Sequence, residues 1–344
     1  MGKRMKILVL RFSSIGDIVL TTPVVRAIKQ QVPGAEVHFA TKPGYRSLLE
    51  ANPYVDKAHY LTGSLRELVQ ELRAEQFDFI VDLHNNLRTS LIKLQLGVKS
   101  AAFDKLNWRK WLLVNLKINT LPEVHIVDRY LVAAAPLGVR NDGQGLDYFI
   151  PAAAEVSLAT LPAAFQQGYV AFAIGAQHAT KRLPVERIIE LCALLHQPVV
   201  LLGGPEDAAN GKLIEAHFSS RTAEKTQPQI LNACGQYSLN QSASLVRQAQ
   251  FVISHDTGLM HIAAAFQKEV YSVWGNTVPA FGMYPYRTKY HVLEVPGLEC
   301  RPCSKIGYEK CPRGHFKCMR DIRFEPFFPP APGTPVPVSD ARLG

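Results

Sequence analysis

Several things are scarce or missing in this 344-residue sequence. No apolar run approaches the roughly eighteen residues that cross a bilayer, which excludes a spanning helix. No G-x-G-x-x-G follows the first apolar run, which counts against a nucleotide-dependent oxidoreductase built on a dinucleotide fingerprint. There is no Asp-x-Asp pair anywhere, which argues against a diphosphate held through a metal. Cysteine is sparse, with six in all, and four of these fall between 300 and 318. No leader is legible either: MGKRMKILVLRF sets basic residues before an apolar run, but that run is only Ile7 to Leu10 before Arg11. No small-residue cleavage site follows, so the segment reads as a first buried strand and the protein as cytoplasmic.

What is present is an ordinary globular composition, 47% apolar and 19% charged, with a surplus of cations. The net charge is +9, which favours an anionic partner such as a nucleotide sugar, a phosphorylated lipid, a membrane surface or a nucleic acid. The length allows two domains, each with its own core.

The stretch Phe251 to Phe266, FVISHDTGLMHIAAAF, reads as strand, tight turn and helix. Such a turn aims free backbone N–H groups and the positive helix end at one point, which suits a phosphate. Asp256 or Thr257 could be no more than a helix cap, worth about 1 kcal/mol. Gly258 and His261 add a glycine and an imidazole at the same helix mouth, more than a cap requires.

Short apolar runs alternate with helical patterns along the whole chain. Strands are expected at Lys6 to Phe12, Glu36 to Ala40, Ala58 to Leu61, Phe77 to Leu83, Tyr169 to Ile174, Val199 to Leu202, Phe251 to Ile253 and Glu269 to Trp274. Helices are expected at Ile18 to Gln30, with a kink or a late restart at Pro23, and at Tyr45 to Ala51, Leu65 to Glu75, His125 to Ala135, Pro184 to Leu195 and Leu239 to Ala249. Another opens at Gly203 to Asp207. The pattern predicts an α/β protein of two doubly wound parallel sheets facing across a cleft. The Gly-, Pro- and Ala-rich region from Asn141 to Pro162 marks the junction, giving domains of 1–155 and 156–324 and a Pro-rich, extended tail at 325–344.

Polar turns after strands face ligands in such sheets. The first, Ser13 to Asp17, holds Ser14, Gly16 and a carboxylate, Asp17, that caps a helix or takes a proton from an attacking hydroxyl. Another, His84 to Arg88, offers Arg88 to an anionic acceptor or leaves it on the surface. In the loop GAQHATKR, Lys181 and Arg182 are two adjacent cations suited to a leaving diphosphate. Glu206, at the next strand end, can accept hydrogen bonds from a ribose. Residues 99 to 120 mix Lys99, Lys105, Arg109, Lys110 and Lys117 with Trp108 and Trp111, which suits a membrane surface or forms a solvated face with an apolar underside. Cys300, Cys303, Cys311 and Cys318 are a candidate structural zinc site, or reduced thiols packing a loop. Cys192 and Cys234 read as small buried apolar residues.

Four segments in register, KILVLRFSSIGDIVLTTPVVRAIK, GAQHATKRLPVERI, LLGGPED and ISHDTGLMHIAAAF, resemble the bacterial lipopolysaccharide heptosyltransferases, glycosyltransferase family 9. The block CRPC…CPRGHFKCMRDI is similar to one in many members, so the resemblance covers roughly residues 5 to 323. It implies a GT-B fold and an inverting, cofactor-free transfer of heptose from ADP-heptose to a lipid A–Kdo or inner-core acceptor at the inner membrane. It implies that Asp17 is the general base, Lys181 binds the donor phosphates and Glu206 meets the adenosine ribose. Asp256, Thr257, Gly258 and His261 would hold the diphosphate and sugar, with Ser14, Gly16 and Arg88 on the acceptor side. Two departures are Leu183, where many members carry Trp, and His255, often Asn or Val. Transfer from another nucleotide sugar is the alternative. A nucleic-acid-binding protein is disfavoured because the basic residues are dispersed rather than gathered in one stripe. Because base and phosphate site lie on opposite halves, a hinge near residues 150–162 is expected to bring them together.

Overall fold

The computed structural model describes residues 4–219 and 227–328. The central strands are short apolar runs buried on both faces, as parallel sheets covered by helices on each side require. The strands of the front half are β1 (Met5–Leu10), β2 (Ala35–Thr41), β3 (Lys57–Tyr60), β4 (Phe79–Asp82) and β5 (Ser100–Ala102). They pair in the order β3-β2-β1-β4-β5, every pair parallel. The back half carries β6 (Val170–Ala173), β7 (Val199–Leu202), β8 (Ile230–Asn232), β9 (Val252–His255), β10 (Val270–Val273) and β11 (Tyr290–Leu293). Their order is β11-β10-β9-β6-β7-β8, again parallel throughout. Each sheet thus reverses direction beside its first strand, the place where open α/β sheets bind ligands.

The helices of the front half are α1 (Ile15–Val19), α2 (Thr22–Gln31), α3 (Leu65–Ala74), α4 (Leu87–Leu96), α5 (Asn107–Leu116) and α6 (Ile126–Ala134). Those of the back half are α7 (Ala163–Gln166), α8 (Val185–Ala193), α9 (Ala208–Ser219), α10 (Leu239–Gln248), α11 (Gly258–Ala265) and α12 (Lys317–Arg320). Local chemistry fixes their starts. Ser64 accepts the Glu67 N–H at 3.2 Å while the Glu67 carboxylate accepts the Ser64 N–H, a reciprocal cap on α3. Asn86 and Thr89 do the same for α4.

The structure departs from the sequence expectation in a few places. The single helix expected at 18–30 is two helices. Of the kink or restart expected at Pro23, the restart is found: Pro23 sits in the first turn of α2, where its missing N–H has no partner to lose. The expected turn at 13–17 is therefore half helical, and Asp17 belongs to α1. The basic, aromatic stretch 99–120 contains β5 and α5, and the polar cluster at 84–88 opens α4. The expected helix at 45–51 is a 3-10 segment, Pro43–Leu48.

Residues 141–169 connect the halves through two 3-10 turns, Ala152–Ala154 and Leu158–Thr160. The buried guanidinium of Arg26 on α2 holds this segment, with Nε and Nη2 on Asp142 at 2.7 and 2.9 Å, Nη1 on Asp147 and Nη2 on the Gly145 carbonyl. Each half has an apolar cluster of its own, around Leu10 and Ile80 in front and Phe172 and Leu201 behind, and a third joins them. One apolar cluster runs from Ile7 and Val37 of the first sheet through Val156 and Phe165 to Val252 and Trp274 of the second. Packing at the far end continues through Phe324 and Phe328, the latter against Tyr271 with ring centroids 4.6 Å apart. The rest of the expected Pro-rich tail, from residue 329, lies outside the described residues.

Candidate active site

The carboxyl ends of both sheets open on one cavity of about 830 Å³. Its floor is the crossing of α1 and α11. Gly16 and Gly258 make this crossing close: a Cβ on Gly16 would lie 2.7 Å from His261 Cδ2, and one on Gly258 would lie 2.6 Å from Ile15 Cγ2 and 3.3 Å from the Gly16 nitrogen. Two helix N-termini, one from each half, therefore meet backbone to backbone beneath the cavity. The residues that the sequence reading placed on opposite halves are already together, without a hinge movement at 150–162.

Asp17 lies on the front wall. As the third residue of α1 it reaches back, and its Oδ2 accepts the Ser14 N–H at 3.1 Å and the Ser14 hydroxyl at 2.8 Å. Its Oδ1 is 2.7 Å from Arg11 Nη2. Arg11 is itself fixed, donating to the Ser13 carbonyl at 2.7 Å, the Leu83 carbonyl at 2.5 Å and the Tyr130 hydroxyl at 2.9 Å. Burial pushes the Asp17 carboxyl up, but Arg11 and the two Ser14 bonds outweigh it and hold it below the usual carboxylate range. The site therefore holds an ionised carboxylate, fixed in position, at the cavity wall.

The back wall carries the phosphate-type features. Thr257 is the N-cap residue of α11, yet its side chain makes no capping bond, so it leaves the first N–H groups of the helix to whatever fills the cavity. Asp256 does not cap either. Its Oδ2 accepts Lys181 Nζ at 2.6 Å and the Thr277 hydroxyl at 2.9 Å, which sets the lysine beside the helix start. His261, one turn into α11, is buried. Burial holds its imidazole down to about 4, so the ring is neutral, and its Nδ1 has no partner. Glu206 stands exposed at the rim after β7.

Two expected site residues lie elsewhere. Arg182 does not line the cavity. Its Nε donates to the Ala176 carbonyl at 2.6 Å and its Nη1 lies 3.7 Å from Asp207, which braces the loop that presents Lys181. Arg88 sits over the Phe12 ring at 5.5 Å rather than in the cavity. The Leu183 N–H donates to His255 Nε2 at 3.0 Å, so His255 pins the same loop from beneath.

The cysteines form no ready metal cage. Cys303 donates to the Cys300 carbonyl at 3.0 Å, and Cys300 Sγ lies 3.9 Å from His315 Nε2. Among the described residues, the one group of three or more potential ligands within 4.8 Å of one another is His38, His59 and Glu75, far along the chain from these thiols. As placed, no three of the four sulfurs lie within 4.8 Å of one another. The loop acts instead as a clasp. The Thr180 N–H donates to the Tyr308 carbonyl at 3.1 Å, the Tyr308 N–H to the Thr180 hydroxyl at 2.8 Å and the Cys303 N–H to the Asn276 carbonyl at 3.1 Å. It carries Lys305 and Ile306 into the cavity, two residues that the sequence reading passed over. Lys105, Lys110, Tyr130 and Tyr45 also line it, and of these the two lysines were read only as part of a basic stretch.

Residues 65–311 match the family model for glycosyltransferase family 9 (heptosyltransferase). The lipooligosaccharide heptosyltransferase 2 of Haemophilus ducreyi is 27% identical over 301 residues, 80% of this chain and 85% of that one. The structure of Escherichia coli ADP-heptose LPS heptosyltransferase II superposes with a TM-score of 0.66 at 23% identity, covering 92% of this chain and 98% of that one. E. coli heptosyltransferase WaaC, solved with ADP, gives a TM-score of 0.64 at 23% identity over 88% and 97% of the two chains. The two facing sheets are thus the GT-B architecture. The matched segment spans the cavity floor of the back half, the loop of Lys181 and the cysteine clasp, and the chain belongs to glycosyltransferase family 9, the heptosyltransferases.

Proposed function

We propose that this enzyme moves heptose from ADP-heptose to the lipopolysaccharide inner core, a lipid A–Kdo or heptosyl acceptor, by a direct, inverting displacement without a catalytic metal. The observation that carries this reading is the meeting of Asp17 with the uncapped start of α11 across a single cavity. The acceptor hydroxyl approaches from the front wall and Asp17 takes its proton. The ADP leaves on the back wall, where the N–H groups of α11 and Lys181 face the charge that grows on the diphosphate. Neutral His261 lies between them and offers a hydrogen bond to the sugar or phosphate rather than a charge. Glu206 at the rim is placed to accept from the ribose hydroxyls.

The acceptor's lipid end belongs outside the cavity, at α5. Trp108 and Trp111 stack there with ring centroids 5.1 Å apart and are 67% and 46% exposed, next to Lys110 on the cavity wall. An amphipathic aromatic pair beside cations suits the interface of an anionic membrane, a peripheral contact on the cytoplasmic face. Co-sedimentation with anionic vesicles should fall on Trp108→Ser together with Trp111→Ser, and unchanged sedimentation would remove this contact.

The donor reading is tested by offering purified enzyme ADP-heptose, ADP-glucose and UDP-sugars with a deacylated Kdo-containing acceptor, in EDTA. Transfer is expected from ADP-heptose alone. Transfer from a different sugar nucleotide would reassign the donor, and a strict requirement for Mg²⁺ would overturn the metal-free scheme.

A further inference from the structure

Away from the cavity, on the face of the first sheet that α3 covers, two histidines are buried side by side. His38 of β2 and His59 of β3 are both 0% exposed, with ring centroids 5.1 Å apart and the Phe77 ring edge-on to each. The hydrogen bond made by one ring nitrogen fixes what the other can do.

The outward nitrogens are taken by carboxylates. His38 Nε2 lies 2.9 Å from Glu36 Oε1, and His59 Nδ1 lies 2.5 Å from Glu71 Oε1. A carboxylate only accepts, so each ring commits its N–H outwards. That leaves His38 Nδ1 and His59 Nε2, two lone pairs, facing each other 2.9 Å apart in a dry site. Such a pair repels unless something electropositive is shared between them, a proton or a metal ion. A third group favours the ion. Glu75, at the end of α3, brings Oε2 to 4.0 Å from His38 Nδ1, and the ligand atoms of His38, His59 and Glu75 all lie within 4.8 Å of one another. A shared proton needs only the two nitrogens; an ion uses the converging carboxylate as well.

We propose that His38 Nδ1, His59 Nε2 and Glu75 Oε2 bind one zinc ion, the divalent cation suited to two imidazoles and a carboxylate. Glu36 and Glu71 then form the outer shell, each orienting a ligating histidine through its far nitrogen. Zinc–nitrogen bonds of about 2.0–2.1 Å place two tetrahedral nitrogens roughly 3.3 Å apart, so the rings need to part by a few tenths of an ångström. Lys57 and Lys6, the latter at 3.1 Å, share Glu75. Their side chains are 52% and 31% exposed, and both amines can turn to water on flexible stems as the ion enters. The ligands come from β2, β3 and the end of α3, so the ion staples the edge strand to its neighbour and to its covering helix. None of these histidines and glutamates lines the cavity, and the site is structural and independent of the transfer reaction.

The full chain, stripped with a chelator and dialysed, is titrated with Zn²⁺ by calorimetry and with Co²⁺ by absorption. Zn²⁺ is expected to bind here at one ion per chain and to raise the melting temperature. Co²⁺ should give the visible d–d bands of a nitrogen- and oxygen-ligated ion, distinct from thiolate charge transfer. His59→Gln should abolish both signals. Glu71 is 49% exposed, so Glu71→Ala keeps the test open if the buried histidine variant fails to fold. It should weaken Zn²⁺ about 10–100-fold, the usual effect of losing an outer-shell partner. Cys300→Ser with Cys303→Ser should leave the signals in place. Equal Zn²⁺ affinity in wild type and Glu71→Ala, a metal signal that disappears with the cysteines, or no uptake of Zn²⁺ by the wild-type chain would overturn the proposal and leave a shared proton between the rings.

Discussion

At the scale of single residues, the front of the site is organised by a three-way lock of Arg11, Ser14 and Asp17. A low-lying carboxylate is a weak base in water, yet here its two oxygens are aimed and its charge is guaranteed. Asp17→Asn is expected to lower kcat by about 10³, within the range for a positioned proton acceptor, and to leave ADP affinity unchanged by calorimetry. Comparable turnover in that variant would remove Asp17 from the role. The pH dependence follows from the same groups. Asp17 is held below, and His261 at about 4, so neither brings an acid limb above roughly pH 5. Because the folded Asp17 carboxyl is depressed, its contribution to stability is present above its unfolded value, about 3.9, and is lost as pH falls through the folded one. Lys110 acts in the opposite sense. Its folded value of about 8 means that the charged lysine penalises folding at lower pH, and the penalty lifts as pH rises above 8. Asp17, Lys181 and the 256–261 group were legible because motif and strand-end position agreed. Arg182 was not, because two adjacent cations in a loop look equivalent until the backbone turns one of them inward.

At the scale of elements, the strands were legible because parallel sheets demand continuous apolar runs, and ILVL, VAFA, VVLL and FVI are such runs. The pieces that the sequence reading passed over are those with the least burial to encode. β5 is Ser-Ala-Ala with two of its three residues exposed, and α5 buries only Leu113. α1 was read as a turn because Ser13 to Asp17 has turn composition, and the helix there owes its form to the Ser14–Asp17 cap and to contact with α11. That contact is the element most sensitive to change. A methyl group on Gly258 has no room against Ile15, and Gly258→Ala should destabilise the protein by about 1–3 kcal/mol, as overpacking does. It should also lower transfer more than a cavity-remote change of equal cost, since it parts α1 from α11. Denaturant unfolding and kcat measured together check both. An alanine variant of wild-type stability and rate would mean that the helices have slack.

At the scale of the whole molecule, the two-sheet architecture was legible from the alternation of periods, but the continuity of the core was not. Composition could allow two cores; only the packing shows the apolar cluster passing beneath the cavity from one half to the other. Scanning calorimetry should accordingly show one cooperative transition, shifted upward by ADP as mass action requires. Two separable transitions would mean that the halves fold independently. The net charge of +9 was legible as a number, and its meaning lay in which cations already had partners.

The bare glycine crossing has one more mechanical consequence. Interlocked side chains make packed helices move in discrete jumps from one seating to the next. Where Gly16 meets Gly258 the teeth are Ile15 and His261, each seated over the bare glycine of the facing helix. The halves are therefore keyed together at the point where bond making and breaking would occur, so any slip along this seam must first lift Ile15 and His261 from their seats.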